Sequence, residues 1–380
     1  AQTNKGNMAV MLRRLFTFFS LSIMCLPTLA KADNVTIALV MPKAGSYQQQ
    51  GTELAKGVQR AIDEINESGG LLGKKLELLA IDDQCNDGIA VSTAQMLTIL
   101  KQKNIKLVIG PYCANSFDMV ADIYAKGQIF QIIPTTVNYA QAKTIKKGLV
   151  KMLGYTNQQA KDFFDYYNNN MAGSQVAVIY NSSDAESTEE AKAIEDEFRK
   201  HGKSVVLGSY FYELTDKDYK KLAEQVLADG NTAAFVLGYP KNVRKMSYAL
   251  RERNNDMAVF VNKYTAGSEF FEYMDGLANG VYFMALRGKE EDPEFAETLV
   301  KLRLNGFDAD GLSLYGYSAV NLWKSLANAA KSFDYNKVSN QAAKGVKTEF
   351  GSQMFHNGAP STNESYAIYR YEDGNMNKVY

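Results

Sequence analysis

Apolar residues recur along this chain with two periods. Val35, Ile37, Ala38, Leu39, Val40 and Met41 form an almost unbroken apolar run, the pattern of a strand buried on both faces. From 51 to 68 the apolar residues Leu54, Val58, Ala61, Ile62 and Ile65 fall on one helical stripe. Gly69-Gly70 supplies the positive φ that ends this helix. A second apolar strand over 76–81 completes a βαβ unit, whose crossover is expected to be right-handed. The alternation continues with a helix over 89–100, a strand over 105–109 ending at Gly110-Pro111, and a helix carrying Phe117, Val120, Ile123 and Tyr124, which Ser116 can cap. A strand over 129–133 follows, stopped by Pro134. Strands alternating with helices make a parallel sheet covered on both faces, with ligands beyond the carboxyl ends of its strands.

A second series begins after Leu153. Thr156 is read as the cap of a helix with Phe163, Phe164 and Tyr167 on its apolar side. Strands are expected over 175–180, 204–210, 232–237, 258–261 and 281–284, and helices over 188–200, from Thr215 to 229 and over 243–253. Thr215 with Asp218 has the spacing of a capping box. The last hundred residues break the alternation, with helices over 293–305, 312–332 and 338–350, a final strand over 365–371, and a turn at Glu372-Asp-Gly374. Helices without strands do not make a third domain of this kind; they return to cover the first sheet, and the last strand joins the second. The expected fold class is therefore α/β, with two doubly wound parallel-sheet lobes joined by a three-crossover hinge. Lobe one takes 33–153 and 286–353, and lobe two takes 154–285 and 354–380.

A length of 380 residues exceeds one typical core, in keeping with two lobes. The zero formal charge gives no sign of a nucleic-acid or anionic-membrane partner. Residues 1–32 change the picture. Arg13-Arg14 precedes a mostly apolar stretch over 15–30, and Ala30-Lys31-Ala32 fits a cleavage site, so a cleaved secretory signal peptide is expected. The stretch is short for a membrane anchor and carries Pro27. Its removal takes Lys5, Arg13, Arg14 and Lys31 from the 42 basic residues, leaving 38 against 42 acidic ones. It also leaves only Cys85 and Cys113. An exported chain with two cysteines usually pairs them; two free buried thiols are the alternative.

Candidate chemistry lies at the strand ends. Tyr47-Gln48-Gln49-Gln50 offers a ring and three amides, and Cys113-Ala-Asn-Ser116 opens a helix whose backbone amides can hold an oxygen. Ala114, Asn115, Ser116 and Thr135 are candidates on the first lobe, and Asp184, Tyr239 and Tyr264 on the second. Catalytic chemistry has little support. The first strand is not followed by a G-x-G-x-x-G turn, there is no P-loop or G-x-S-x-G elbow, and His201 and His356 lack metal spacing. No cofactor, metal or catalytic residue is expected.

These pieces resemble, in order and spacing, the periplasmic solute-binding proteins of ABC importers of the Leu/Ile/Val type, which have the type I periplasmic binding fold. The marks are Asn66-Glu-Ser-Gly-Gly-Leu-Leu-Gly-Lys74, Asp82-Asp83-Gln-Cys85, Val108-Ile-Gly-Pro-Tyr-Cys113 and Ile129-Phe-Gln-Ile-Ile-Pro134. The resemblance implies a disulfide joining Cys85 and Cys113, two lobes closing on a small-molecule ligand, an ABC importer permease as partner, a periplasmic location and a monomer. In the family's amino-acid binders a Ser after the second Cys and a Thr after the Pro help grip the ligand carboxylate; here those positions are Ala114 and Val137. The second-lobe acid that takes the ammonium is missing from the matching stretch, Phe260-Val-Asn-Lys-Tyr264, and the family's aromatic after the first strand of that lobe falls near Ala185, whereas Tyr239 is kept. A buried zwitterion without partners would cost several kcal/mol. The departures favour an aromatic, amide or modified amino-acid ligand. An aliphatic amino acid held by a divergent site is the alternative ligand, and a sensor docking on a membrane receptor the alternative role.

Overall fold

The computed structural model describes residues 34–100, 103–113, 116–135, 137, 146–153, 156–210, 214–262, 265, 267–286, 293–307, 311–348, 351–353, 355–356, 359–360 and 366–380. The proposed leader therefore lies outside the described residues, as do Ala114, Asn115 and Tyr264. The apolar run near the start becomes β1 (Val35–Val40), buried along its whole length. It pairs in parallel with β2 (Leu76–Ile81) on one side and β3 (Ile105–Ile109) on the other. The sheet continues through β4 (Phe130–Ile133) and β5 (Leu149–Lys151), in the order β2-β1-β3-β4-β5. β5 is too short to show a period in the sequence.

Helix α1 (Gln48–Glu67) turns its predicted stripe inward, with Leu54, Val58, Ala61, Ile62 and Ile65 buried. On the other face of this sheet lie α2 (Asp87–Ile99), capped by the Asn86 side chain, and α3 (Phe117–Lys126). Ser116 precedes α3 but makes no side-chain cap; its hydroxyl donates instead to Asp87 Oδ1 at 2.6 Å.

The second sheet has seven strands, in the order β16 (Asn375–Lys378), β15 (Tyr366–Glu372), β10 (Tyr282–Leu286), β9 (Ala258–Asn262), β8 (Ala233–Leu237), β6 (Val176–Asn181) and β7 (Val206–Tyr210). β6, β7, β8, β9 and β10 run parallel. β15 joins β10 antiparallel, and β16 folds back on it across the turn at Asp373-Gly374. β16 carries a single apolar residue, Met376, so no alternation announces it. One face is covered by α4 (Thr156–Asn170) and α5 (Ala185–Lys200), the other by α6 (Asp216–Ala228), α7 (Pro240–Arg253) and the short α8 (Ser268–Met274). The Thr215–Asp218 capping box is present at α6. Thr156 is the first residue of α4 rather than its cap.

Of the late helices α9 (Pro293–Leu304), α10 (Gly311–Ala330) and α11 (Tyr335–Lys344), α10 packs along α1. Two glycines let the helix backbones touch. A Cβ on Gly57 would stand 1.8 Å from the Ser313 carbonyl oxygen, and one on Gly316 2.3 Å from that of Leu54. α10 adds Leu314, Tyr317, Val320, Trp323 and Leu326 to the core of the first sheet. The helix expected to reach 350 stops at Gly345, whose φ is +81°, and gives way to two small hairpins: β11 (Val346–Thr348) with β12 (Gly351–Gln353), and β13 (Phe355–His356) with β14 (Ala359–Pro360). Among the described residues, no helix is long and apolar enough to cross a membrane.

Winding reverses at β1 and β3 in the first sheet and at β6 and β8 in the second, because in each case the two strands are neighbours whose chains then depart in opposite directions. Open parallel sheets leave a crevice at the carboxyl ends of such strands.

Candidate functional site

Loops from those strand ends converge. Tyr47 follows β1, Tyr112 follows β3 and Tyr239 follows β8. The Tyr47 ring lies 5.9 Å from that of Tyr112, tilted by 54°, and 5.3 Å from that of Tyr239, tilted by 68°. Such edge-on arrangements are the favoured geometry of aromatic pairs. Beside these rings opens a cavity of about 370 Å³, lined by Tyr47, Cys85, Asp87, Cys113, Asp184, Glu186 and Tyr239 among others. A neighbouring recess of about 450 Å³ shares Tyr47, Cys85, Ser183 and Tyr239 with it. The Cys85–Cys113 disulfide, with its Cα atoms 5.4 Å apart, ties the loop after β2 to the loop after β3 at the cavity wall.

The second sheet contributes acids. Asp184 ends the loop after β6 and caps α5, accepting from the Ser187 backbone N–H at 3.2 Å and from the Ser187 hydroxyl. Burial raises its carboxyl, opposed by those bonds, the Glu186 backbone N–H and the Tyr47 hydroxyl. Glu186 and Glu190 stand one helical turn apart on α5. Glu190 is buried and accepts from Asn262 Nδ2 at 2.9 Å. Asn262 in turn accepts from Gln159 Nε2, so the amide is held in one orientation. Burial, with the nearby Asp184 charge, pushes Glu190 up to about 7. Burial first, then Glu190 and Asp184, holds Glu186 well above the usual carboxylate range. Tyr112 reaches this group from the first sheet: burial, then the Glu186 and Asp184 charges, keep its phenol protonated far above neutral pH. Among the described residues, no lysine or arginine pairs with Asp184, Glu186 or Glu190, and none lines the cavity.

The sequence candidates divide. Tyr47, Asp184 and Tyr239 are brought together at the cavity. Gln50 is buried in the first turn of α1. The Thr135 hydroxyl donates to the Tyr112 carbonyl at 3.2 Å, so it braces that loop. Ser116 is fully buried and bound to Asp87, and Val137 is enclosed in an apolar cluster with Phe117, Ala121, Ile133 and Leu149; neither is among the residues that line the cavity.

Tyr112, Glu186, Glu190 and Asn262 are missing from the sequence candidates. The family resemblance points to 260–264 for a second-sheet acid; there Asn262 meets an acid that arrives on α5 instead. A signal existed. Glu186 and Glu190 are like charges four apart in a helix, an unfavourable pair on an exposed face.

Residues 34–375 match the family model of the periplasmic binding proteins. An amino acid binding protein of Pseudomonas aeruginosa is 26% identical, over 93% of this chain and 94% of its own length. Among solved structures, the branched-chain amino acid substrate binding protein LivJ of Streptococcus pneumoniae, in complex with isoleucine, superposes with a TM-score of 0.77 at 19% identity, covering 91% of this chain and 99% of its own. A solute binding protein of R. palustris in complex with benzoate superposes at 0.76 with 13% identity, covering 91% and 95%.

Proposed function

Since the chain belongs to the periplasmic binding protein family, and within it resembles the branched-chain amino acid type, we propose that it is the solute-binding component of an ABC importer, capturing one small molecule between its two sheets. Members of this family bind small-molecule solutes, work with ABC transporter permeases, act in the periplasm and are not enzymes. The observation that carries the reading is the convergence of loops from both sheets on one cavity, with Tyr47 and Tyr239 in ring contact across it. The first-sheet wall is braced by the disulfide and by Thr135, and the second by the Asp184 cap. A ligand held by rings and carboxylates from both walls favours the closed arrangement, because only there does it touch both. On this reading the protein is exported, acts as a monomer and returns its ligand chemically unchanged.

Replacing Tyr239 by Ala tests this. It removes one wall of the cavity and the edge contact with Tyr47, and is expected to weaken ligand affinity by roughly 1–3 kcal/mol while the fold survives. Solution scattering of the wild type is expected to show compaction on ligand addition. Tight binding without compaction, together with an unaffected Tyr239→Ala variant, would put the site elsewhere.

A further inference from the structure

The acids of α5 say something about the ligand that the sequence did not. A carboxylate-rich wall is unremarkable on an exposed helix, but this one faces a cavity. Asp87, Asp184 and Glu186 line it, Glu190 stands behind them, and no lysine or arginine among the described residues offsets them there. Asp184 and Glu190 are supported by Ser187 and Asn262 respectively. The Glu186 carboxyl accepts no hydrogen bond among the described residues, although it lies in the lining. A second observation is independent of the acids. The Tyr112 side chain, 9% exposed, comes from the first sheet within reach of the Glu186 and Asp184 charges, and no hydrogen bond from its hydroxyl is found among the described residues. The Tyr47 and Tyr239 rings line the cavity, and Tyr112 packs against Tyr47 at a steep angle beside them. Ring faces and carboxylates are the two protein surfaces that attract an organic cation, and each does so more strongly out of water. A cavity of about 370 Å³ is at the small end of ligand sites.

Resting on the solute-capture reading above, we infer that the ligand is a small organic cation, a protonated primary amine without a compensating carboxylate, whose ammonium group sits between Glu186 and the Tyr47, Tyr112 and Tyr239 rings. The ammonium donates to Glu186 and Asp184, and Glu190 supplies further negative potential one turn behind. A carboxylate ligand is repelled by the same wall. A neutral aromatic ligand leaves the Glu186 carboxyl unpaired.

Cation binding also moves a proton. In the empty cavity the groups facing Glu186 are Glu190 on its own helix, Asp184 at the cap, Asp87 from α2, and Tyr112 and Tyr47 from the first sheet; Asn262 and Gln159 lie behind Glu190. All of the charges among them are negative, so each glutamate holds its proton to higher pH than an exposed carboxyl does. An arriving ammonium replaces that proton as the neutralising charge, and the proton leaves to the buffer.

The test uses the mature chain, freed of carried ligand by unfolding and refolding, and three probes of one shape: benzylamine, benzyl alcohol and benzoate, with leucine and putrescine added. Calorimetry at pH 7.5 is run in two buffers of different ionisation enthalpy. The expected result is saturable binding of one or both amines with proton release, at least tenfold tighter than the alcohol, and no binding of benzoate. Glu186→Gln is expected to weaken amine binding at least tenfold and to reduce the proton release; Glu190→Gln is expected to reduce the release with a smaller loss of affinity. Binding of leucine or benzoate in preference to the amines, with compaction in solution scattering, overturns the cation assignment and leaves the solute-capture reading standing. Amine binding without compaction, unchanged by Glu186→Gln, overturns both. Absence of binding by every amine also overturns the cation assignment.

Discussion

Glu190→Gln is expected to remove a pH-dependent weakness from the ligand-free protein. Glu190 is 6% exposed, and its carboxyl is raised from 4.5 to about 7, chiefly by burial. In the unfolded chain the same group ionises near its ordinary value. Below that value both states hold the proton and the burial costs nothing. As pH rises toward and through about 7, the unfolded state sheds its proton first, so folded stability falls. The interval from 4.5 to about 7, at about 1.4 kcal/mol per pH unit, sets a full penalty of roughly 3 kcal/mol, of which roughly 2–3 accrues between pH 5 and pH 8. Gln is neutral at every pH and its carbonyl oxygen can still accept from Asn262 Nδ2, so the substitution removes the charge and keeps the bond. Removing that charge also relieves Glu186, an effect of the same sign. Urea denaturation followed by far-ultraviolet circular dichroism at pH 5 and pH 8 is the assay. The variant is expected to exceed the wild type by roughly 2–3 kcal/mol more at pH 8 than at pH 5. A stability difference that does not change between the two pH values would refute the reasoning, and would mean that Glu190 stays solvated or finds a cation when folded.

Two further outcomes are expected. Breaking the Cys85–Cys113 bond, by Cys113→Ser or by reduction, frees a loop with a sequence separation of 28 and is expected to cost roughly 3–4 kcal/mol in the chain-entropy account; an unchanged denaturation midpoint after complete reduction would contradict it. Gly57→Ala drives a methyl group into the Ser313 carbonyl of α10 and is expected to cost roughly 1–3 kcal/mol or more as the helices part. Fluorescence of the buried Trp323 on α10 reports this unfolding, and Gly276→Ala, where a Cβ meets nothing within 4 Å, is the near-neutral control.

Much of the fold was legible along the chain because its strands are short apolar runs and its helices carry single stripes. Val35–Val40 could only be buried on both faces, and Leu54, Val58 and Ile62 could only lie on one. Those are local properties, set by side-chain period and by the exclusion of apolar surface from water. β5 and β16 escaped because three residues carry no period and because Asn375–Lys378 has only Met376 as an apolar residue, so each is a strand only through its neighbour's backbone. The strand-end rule points to Tyr47, Asp184 and Tyr239, which the fold brings together at one cavity.

The chemistry of the cavity was decided elsewhere. Ser116 and Val137 stand at positions that invite a ligand, yet one hydroxyl turns to Asp87 and the other side chain fills an apolar cluster. Glu186 and Glu190 are, along the chain, only two like charges four apart on a helix. Only the packing of α5 against β9, and the approach of Tyr112 from the other sheet, bury Glu190 and leave Glu186 half-buried at the cavity wall. Sequence determines which residues must leave water, because hydrophobicity belongs to each side chain. Which polar groups go with them is a property of the assembled surfaces: a carboxylate has no fixed cost until its neighbours set its solvation and its partners, and here those neighbours come from both sheets.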